Sequence, residues 1–227
     1  MPEAASPSVC PGPAAGADRI ARALDSRLPW AKVSAAATDG PPLAWHWGDL
    51  TARQAAGEDP TSEWRAALTA ATARQYATPP PPAMPAAFVL QWALEVPATV
   101  GAYAALLSPP AGAPELDGLS FALHRGAHFP VHIQIDGSAA GSTDPAVRLA
   151  DAHAAYVALA RPFAASYQPG VRLGRHQRAA MVDDVWAIAV HRAGSSGPGP
   201  LRSSCCFIYA LPGVHECAGC PRLRHPR

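Results

Sequence analysis

Four of the five cysteines in this 227-residue chain fall within its last 23 residues, as Cys205-Cys206 followed by Cys217-Ala218-Gly219-Cys220. The pattern is C-C-x10-C-x2-C, and it requires the end of the chain to turn back so that two pairs of thiols meet. Four sulfur ligands at this density suit one metal centre, either an iron–sulfur cluster or a zinc ion. Scattered core cysteines would not gather at one end, and a disulfide framework belongs to small secreted scaffolds rather than to a chain this long.

The residues around the cysteines narrow the choice. Arg202-Ser-Ser-Cys205-Cys206-Phe-Ile-Tyr209-Ala-Leu-Pro212-Gly213, then Cys217-Ala-Gly-Cys220-Pro221, resembles the C-terminal signature of the FhuF-type ferric-siderophore reductases. The adjacent cysteine pair, the Tyr-x-Leu-Pro-Gly segment and the proline after the last cysteine carry the resemblance. Family members often have an arginine directly after the tyrosine, where this chain has Ala210. The close resemblance covers residues 202–221, and a looser one, in the order of helices and short strands, reaches back to about residue 85. It implies a [2Fe–2S] cluster on Cys205, Cys206, Cys217 and Cys220, with no catalytic residues beyond those ligands.

Composition bounds the rest. A chain of this length reads as one domain able to bury a substantial core. The formal net charge of +1 argues against a general nucleic-acid binder. Met1 to Ala17 shows neither a basic nor an apolar run of the kind that opens a signal peptide. The most apolar stretch, Met84 to Leu107, contains Gln91, Glu95 and Pro97 and reads as buried helix rather than a membrane span. The expected compartment is the cytoplasm, where thiols stay reduced.

Along the chain, residues 1–16 are rich in Pro, Ala, Ser and Gly, which predicts disorder and gives Cys10 no role. Asp18 is placed to cap a helix carrying Ile20, Leu24 and Leu28. Leu43 to Trp47 reads as a short strand or aromatic loop. Thr61 or Ser62 starts a helix with Trp64 and Leu68 on one face, ended by the run Pro79 to Pro82. From Ala86 to Leu107 the pattern is helical and apolar all round, with Pro97 expected to kink or split it. Leu119 to Leu123 and Val131 to Ile135 alternate and predict a β-hairpin across Gly126. Asp144-Pro145 opens a helix to about Ala160. A last helix spans Gln177 to His191, with Met181, Val185, Trp186 and Ile188 inward. The expected class is α+β, mainly helical, with a small antiparallel sheet. The expected layout is a disordered 1–16, a body over 17–200, a cluster-binding segment over 201–221 and a basic tail over 222–227.

Two local expectations concern the cysteines. Cys217 and Cys220 can wrap one iron around a turn at Gly219. Cys205 and Cys206, about 3.8 Å apart between Cα atoms, would point to opposite faces of a strand, so the backbone must bend there for both sulfurs to reach one cluster. Phe207, Ile208 and Tyr209 are placed to shield it, and Pro212-Gly213 to turn the chain back. Arg202, Arg222 and Arg224 flank the site; cations there would favour a reduced cluster. His124, His128, His132, His153, His176 and His191 read as satisfied polar groups, and His215 as a neighbour of the cysteines rather than a ligand. Asp183 and Asp184 diverge by about 100° on a helix and form no acid pair. No dinucleotide or phosphate-binding glycine motif is present.

The resemblance therefore implies a reductase that passes one electron to Fe(III) in an imported siderophore, of the hydroxamate type among the candidates. Its electron would come from a ferredoxin-like donor. The alternative is a zinc-stabilised protein that binds a siderophore or partner without redox activity. An iron–sulfur sensor would want a basic DNA-binding helix, and none is seen.

Overall fold

The computed structural model describes residues 13–36, 43–107 and 111–224; the expectation for Cys10 and for most of 1–16 lies outside these. The described residues form six α-helices, α1 (Pro13–Asp25), α2 (Trp47–Ala55), α3 (Ser62–Tyr76), α4 (Ala83–Ala105), α5 (Pro145–Ser166) and α6 (Arg175–Gly194), with a small sheet. Strands β1 (Lys32–Ala35), β2 (Trp45–His46), β4 (Ser120–Leu123) and β5 (Pro130–Ile135) form one sheet in the order β1-β5-β4-β2. Strands β3 (Ala113–Pro114) and β6 (Ser138–Ala139) pair separately.

The core is built on α4. Its residues are apolar on every side and nearly all buried, so neighbours must cover it all round. Helices α5 and α6 do most of this, with α3 and α1 completing the shell. Close approach is possible because the helix is rich in alanine and carries Gly101, against which the Trp186 ring of α6 packs. The helix is long and apolar enough to cross a membrane by length and composition, yet 72% of that window is buried inside the protein. Pro97 does not split it. The missing N–H costs one backbone bond, and the packing on both sides holds the helix through it.

The far end of α4 is closed by a side chain from another helix. Arg148 of α5, itself buried, donates from Nε to Ala105 O at 2.9 Å and from Nη2 to Leu107 O at 3.0 Å. Its Nη1 donates to Thr143 O at 2.8 Å. The last carbonyls of a helix lack partners within it, and a guanidinium fork satisfies several at once. Asp144 caps α5 as its sequence predicts, accepting from Ala146 N at 2.8 Å, and α5 then runs past Ala160 and Pro162 to Ser166.

The hairpin pairs Phe121 with Ile133 and Ser120 with Gln134. Its left-handed residue is His128 (φ 58°) rather than Gly126, and the His128 carbonyl accepts from Trp64 Nε1 at 2.7 Å. The expected sheet was antiparallel; the observed one is mixed, because β1 joins β5 in parallel. The aromatic segment divides after His46, where α2 begins, since His46 Nδ1 accepts from Asp49 N and caps that helix. Helix α1 starts at Pro13, not at Asp18, so residues 13–16 are ordered helix; Asp18 instead pairs with Arg22 one turn on. Ile20, Leu24 and Leu28 are buried as their spacing implies. On α6, Ala189 and Val182 join Met181, Val185 and Trp186 inside, while Ile188 is half-buried.

Candidate metal centre

Helices α4 and α6 pack side by side, and the cysteine segment is bonded to both of them. Gln177, in the first turn of α6, donates to Cys205 O at 2.5 Å. Asp184, seven residues on and therefore on the same face, accepts from Ser203 N at 2.9 Å, from Ser204 N at 2.6 Å and from Ser204 Oγ at 2.7 Å. Asp183 points elsewhere, to Arg161 on the surface, so the two acids diverge as their spacing requires. From α4, Gln91 accepts from Arg202 Nη1 at 2.6 Å. The strand-like start of the segment is tied to its end by Arg202 N donating to Gly219 O at 2.9 Å.

No strand runs through the cysteine pair; the chain bends at Ser203 and Ser204 just before it and turns left-handed at Phe207 just after it. Phe207 is left-handed at φ 62°, its N–H turns back to Cys205 Sγ at 3.4 Å, and a 3-10 turn over Ile208–Ala210 follows. The chain then reverses at Leu211-Pro212-Gly213-Val214, closed by Val214 N donating to Leu211 O, with Gly213 at φ 72°. That positive φ at the third turn position is the reason a glycine stands there. Cys220 N donates to Cys217 O at 2.8 Å, completing a second turn. Phe207 packs on the core; Tyr209 lies under the Arg222 guanidinium, 4.1 Å from its centroid. A cation thus reaches this tyrosine from Arg222, although Ala210 occupies the arginine position of the signature.

The sulfurs are linked across the two pairs. Cys206 Sγ lies 3.8 Å from Cys217 Sγ, and one nitrogen serves both: Arg202 Nη2 donates to Cys217 Sγ at 2.6 Å and to Cys206 Sγ at 3.4 Å. Two thiolates bonded to one tetrahedral metal at about 2.3 Å lie about 3.8 Å apart. The structure brings Cys206 and Cys217, one from each pair, to that separation. Among the described residues no three His, Cys, Asp or Glu side chains gather tightly enough to share one metal ion. Cys206 and Cys220 are buried, and Cys205 and Cys217 are half-buried, so the site has a wet and a dry side.

Charge balance tests whether these thiols fit a cluster. Arg202 is only 6% exposed. Burial works to lower its guanidinium, and the bonds to Cys206 and Cys217 with the charge of those sulfurs more than reverse this. A buried cation held by neutral thiols, which are weak acceptors, would be poorly compensated. Burial, then the proximity of Cys206, pushes the Cys217 thiol up to about 11, and burial raises Cys205 as well. Such thiols give up their protons to a metal rather than to water. An anionic metal–thiolate group beside Arg202 satisfies both sides, and the four cysteines fit a [2Fe–2S] cluster on this ground. Arg222 is engaged with Glu216 and Tyr209, and the Arg224 side chain lies outside the described atoms.

Several of the described histidines bond elsewhere. His124 Nδ1 accepts from Gly126 N and Ala127 N, His132 Nε2 meets Ser34 Oγ at 2.9 Å, and His191 Nε2 lies 3.1 Å from Gly197 O. Sequence reasoning missed Gln91, Gln177 and Asp184. Polar side chains on otherwise buried helix faces were the available signal, and only the docked segment gives them a purpose.

No curated protein and no solved structure matches the chain. The looser resemblance over the body is not part of any match. Residues 202–222 match the family described as the FhuF 2Fe-2S C-terminal domain, which bears out the close resemblance read from the motif.

Proposed function

We propose that the protein is an iron–sulfur oxidoreductase that reduces ferric iron held in a siderophore. The observation that carries this is the cysteine segment of a FhuF 2Fe-2S domain docked on two core helices, with a buried arginine on two of its sulfurs. A [2Fe–2S] cluster on Cys205, Cys206, Cys217 and Cys220 would supply one electron at a time. The rest of the work belongs to the chain. Gln91, Gln177 and Asp184 fix the segment, Arg202 offsets the negative charge, and half-buried Cys205 and Cys217 leave an edge that redox partners can approach. Hard siderophore oxygens hold Fe(III) far better than Fe(II), so one electron is enough to loosen the metal. No acid, base or nucleophile is needed. The electron donor in this reading is a ferredoxin-like protein, and the compartment is the cytoplasm.

The test begins with protein purified without oxygen and analysed for iron, sulfide, zinc and visible absorption. Two irons and two sulfides per chain with a red-brown spectrum are expected. Stoichiometric zinc without sulfide would replace this reading by the zinc-stabilised binding protein. The reduced protein is then mixed with hydroxamate and catecholate ferric siderophores in the presence of a ferrous chelator. Re-oxidation of the protein with trapped Fe(II) supports the reductase; no acceleration by any siderophore overturns it.

A further inference from the structure

Helix α4, which holds the cysteine segment through Gln91, also lines a cleft with its neighbouring strip of residues. Gln91, the acceptor of Arg202, is followed by Trp92 and, one turn on, by Glu95, and both of these line a cleft of about 640 Å3. Tyr103, two turns further along the same helix, closes its floor, while Trp30 and Phe129 form the walls and Arg27 and Arg192 the rim. Ser195 and Gly197, from the stretch that leads into the cysteine segment, complete the edge.

The lining has a definite chemistry. Trp92 and Phe129 approach each other at 6.3 Å between centroids, so the wall is a set of aromatic faces and edges. Two guanidinium groups stand against one carboxylate: Arg192 Nη1 donates to Glu95 Oε1 at 2.5 Å, and Arg27 is exposed. The cleft is thus net positive before His191 is counted. Burial raises the Tyr103 hydroxyl, Arg192 and Arg27 pull it down and Glu95 adds to the rise, and all four residues line the cleft. Small-molecule sites are typically about 300–1,000 Å3, mainly apolar, with a few convergent polar groups, and this cleft has that form.

We propose that this cleft, reached along α4 from Gln91, is the seat of the ferric complex, and that it takes an anionic chelate with aromatic oxygen-donor arms rather than a neutral aliphatic one. The inference rests on the reductase reading for its purpose but not for its test. Flat aryl arms stack on Trp30, Trp92 and Phe129, and the negative charge of phenolate or catecholate coordination is met by Arg27 and Arg192. A neutral ferric hydroxamate with aliphatic arms would use neither feature. One helix serves both the seat and the cysteine segment: Glu95, on the cleft, stands one turn from Gln91, which is bonded to Arg202, and Ser195 and Gly197 of the stretch leading into the segment edge the cleft.

Binding is measured on the cluster-loaded protein with gallium(III) complexes, which copy the ferric charge and shape but accept no electron. Tryptophan fluorescence and calorimetry follow three ligands: a catecholate, a phenolate and a neutral hydroxamate. The two aryl complexes are expected to bind about tenfold or more tightly than the hydroxamate, and to lose about tenfold on Arg27→Glu, the weight of one charge-assisted contact. Trp92→Leu is expected to weaken both aryl complexes and leave the hydroxamate unmoved. Arg27 is exposed, so its variant should keep fold and visible spectrum and remain informative if Trp92→Leu does not. Equal affinities for the three ligands, or aryl binding unchanged in Arg27→Glu, overturn the assignment of the cleft. Ferric aryl complexes reduced at the wild-type rate by Arg27→Glu with unchanged gallium binding would also overturn the cleft while leaving the reductase reading intact. Gallium binding lost in the variants, together with no reduction of any ferric complex, would uphold the cleft and remove the reductase reading.

Discussion

A guanidinium buried against two sulfurs acts on whatever electron density those sulfurs share. Arg202 donates to Cys217 and Cys206 and is anchored at its other nitrogen by Gln91, so its charge is fixed in place. It stabilises the more negative, reduced state of a thiolate-bound cluster. Removing it in Arg202→Gln should lower the reduction potential by roughly 60–130 mV, taking a charge-assisted hydrogen bond as about 1.5–3 kcal/mol and 59 mV as 1.4 kcal/mol for one electron. Protein-film voltammetry reads this directly, with Arg202→Lys expected to recover part of the shift; an unchanged potential would show the cation to be structural only. Replacing any of Cys205, Cys206, Cys217 or Cys220 by serine should abolish or weaken iron and sulfide incorporation. Cys10→Ser should leave both and the visible spectrum intact.

Between elements, single side chains do the joining, and each has a distinct signature when removed. Asp184 accepts three hydrogen bonds from Ser203 and Ser204, of which Ser204 is fully buried. Asp184→Ala should free the start of the cysteine segment by about 2 kcal/mol, raising amide exchange there about 30-fold and hastening loss of metal, with the helices unchanged. Arg148 closes α4 from α5, and Arg148→Met leaves buried carbonyls unpaired. We expect a loss of about 3 kcal/mol, or roughly 6–12 °C in Tm for a chain of this size. His132 links β5 to Ser34 of β1. Burial first, then Lys32, holds its imidazole below the ordinary 6.5. The unfolded chain therefore takes up this proton at higher pH than the folded one. Stability should be full above about pH 6.5 and fall below it as the unfolded side chain protonates, levelling once the folded one does too. Denaturant titrations between pH 7.5 and 5 should show this slope, flattened in His132→Gln.

Across the whole molecule, α4 is a shared wall. Gln91 holds Arg202, the adjoining strip with Trp92 and Glu95 lines the cleft, and the C-terminal end of the helix lies under the Arg148 cap. The cysteine segment owns little core of its own; its anchors Gln91, Gln177 and Asp184 all belong to the body. A peptide of residues 201–224 should therefore assemble no stable cluster under conditions in which the full chain does, because so short a piece cannot bury enough surface to fix its own turns. A peptide with the visible spectrum of the full protein would show that the body serves only to recruit partners.

Local chemistry accounts for what could be read from the residues in order. The C-C-x10-C-x2-C spacing and its neighbours marked out the segment that matches a family model, since residue type and separation are properties of a short segment. Irregular backbone around Cys205-Cys206 was expected from the opposite directions of neighbouring side chains, and the Asp144-Pro145 helix start and the largely apolar α4 were legible from capping and periodicity. Other features were decided only by parts of the chain that meet after folding. The parallel pairing of β1 with β5 joins residues about a hundred positions apart, and nothing local encodes it. Trp47 opens a helix because His46 turns back to cap it, a choice invisible in an aromatic run. The approach of Cys206 to Cys217 joins the two pairs beside Arg202, and Arg202 is held by Gln91 more than a hundred residues earlier. Sequence spacing thus selects the donors of a metal site, whereas which sulfurs face each other, and which cation faces them, is set by the helices on which the segment comes to rest.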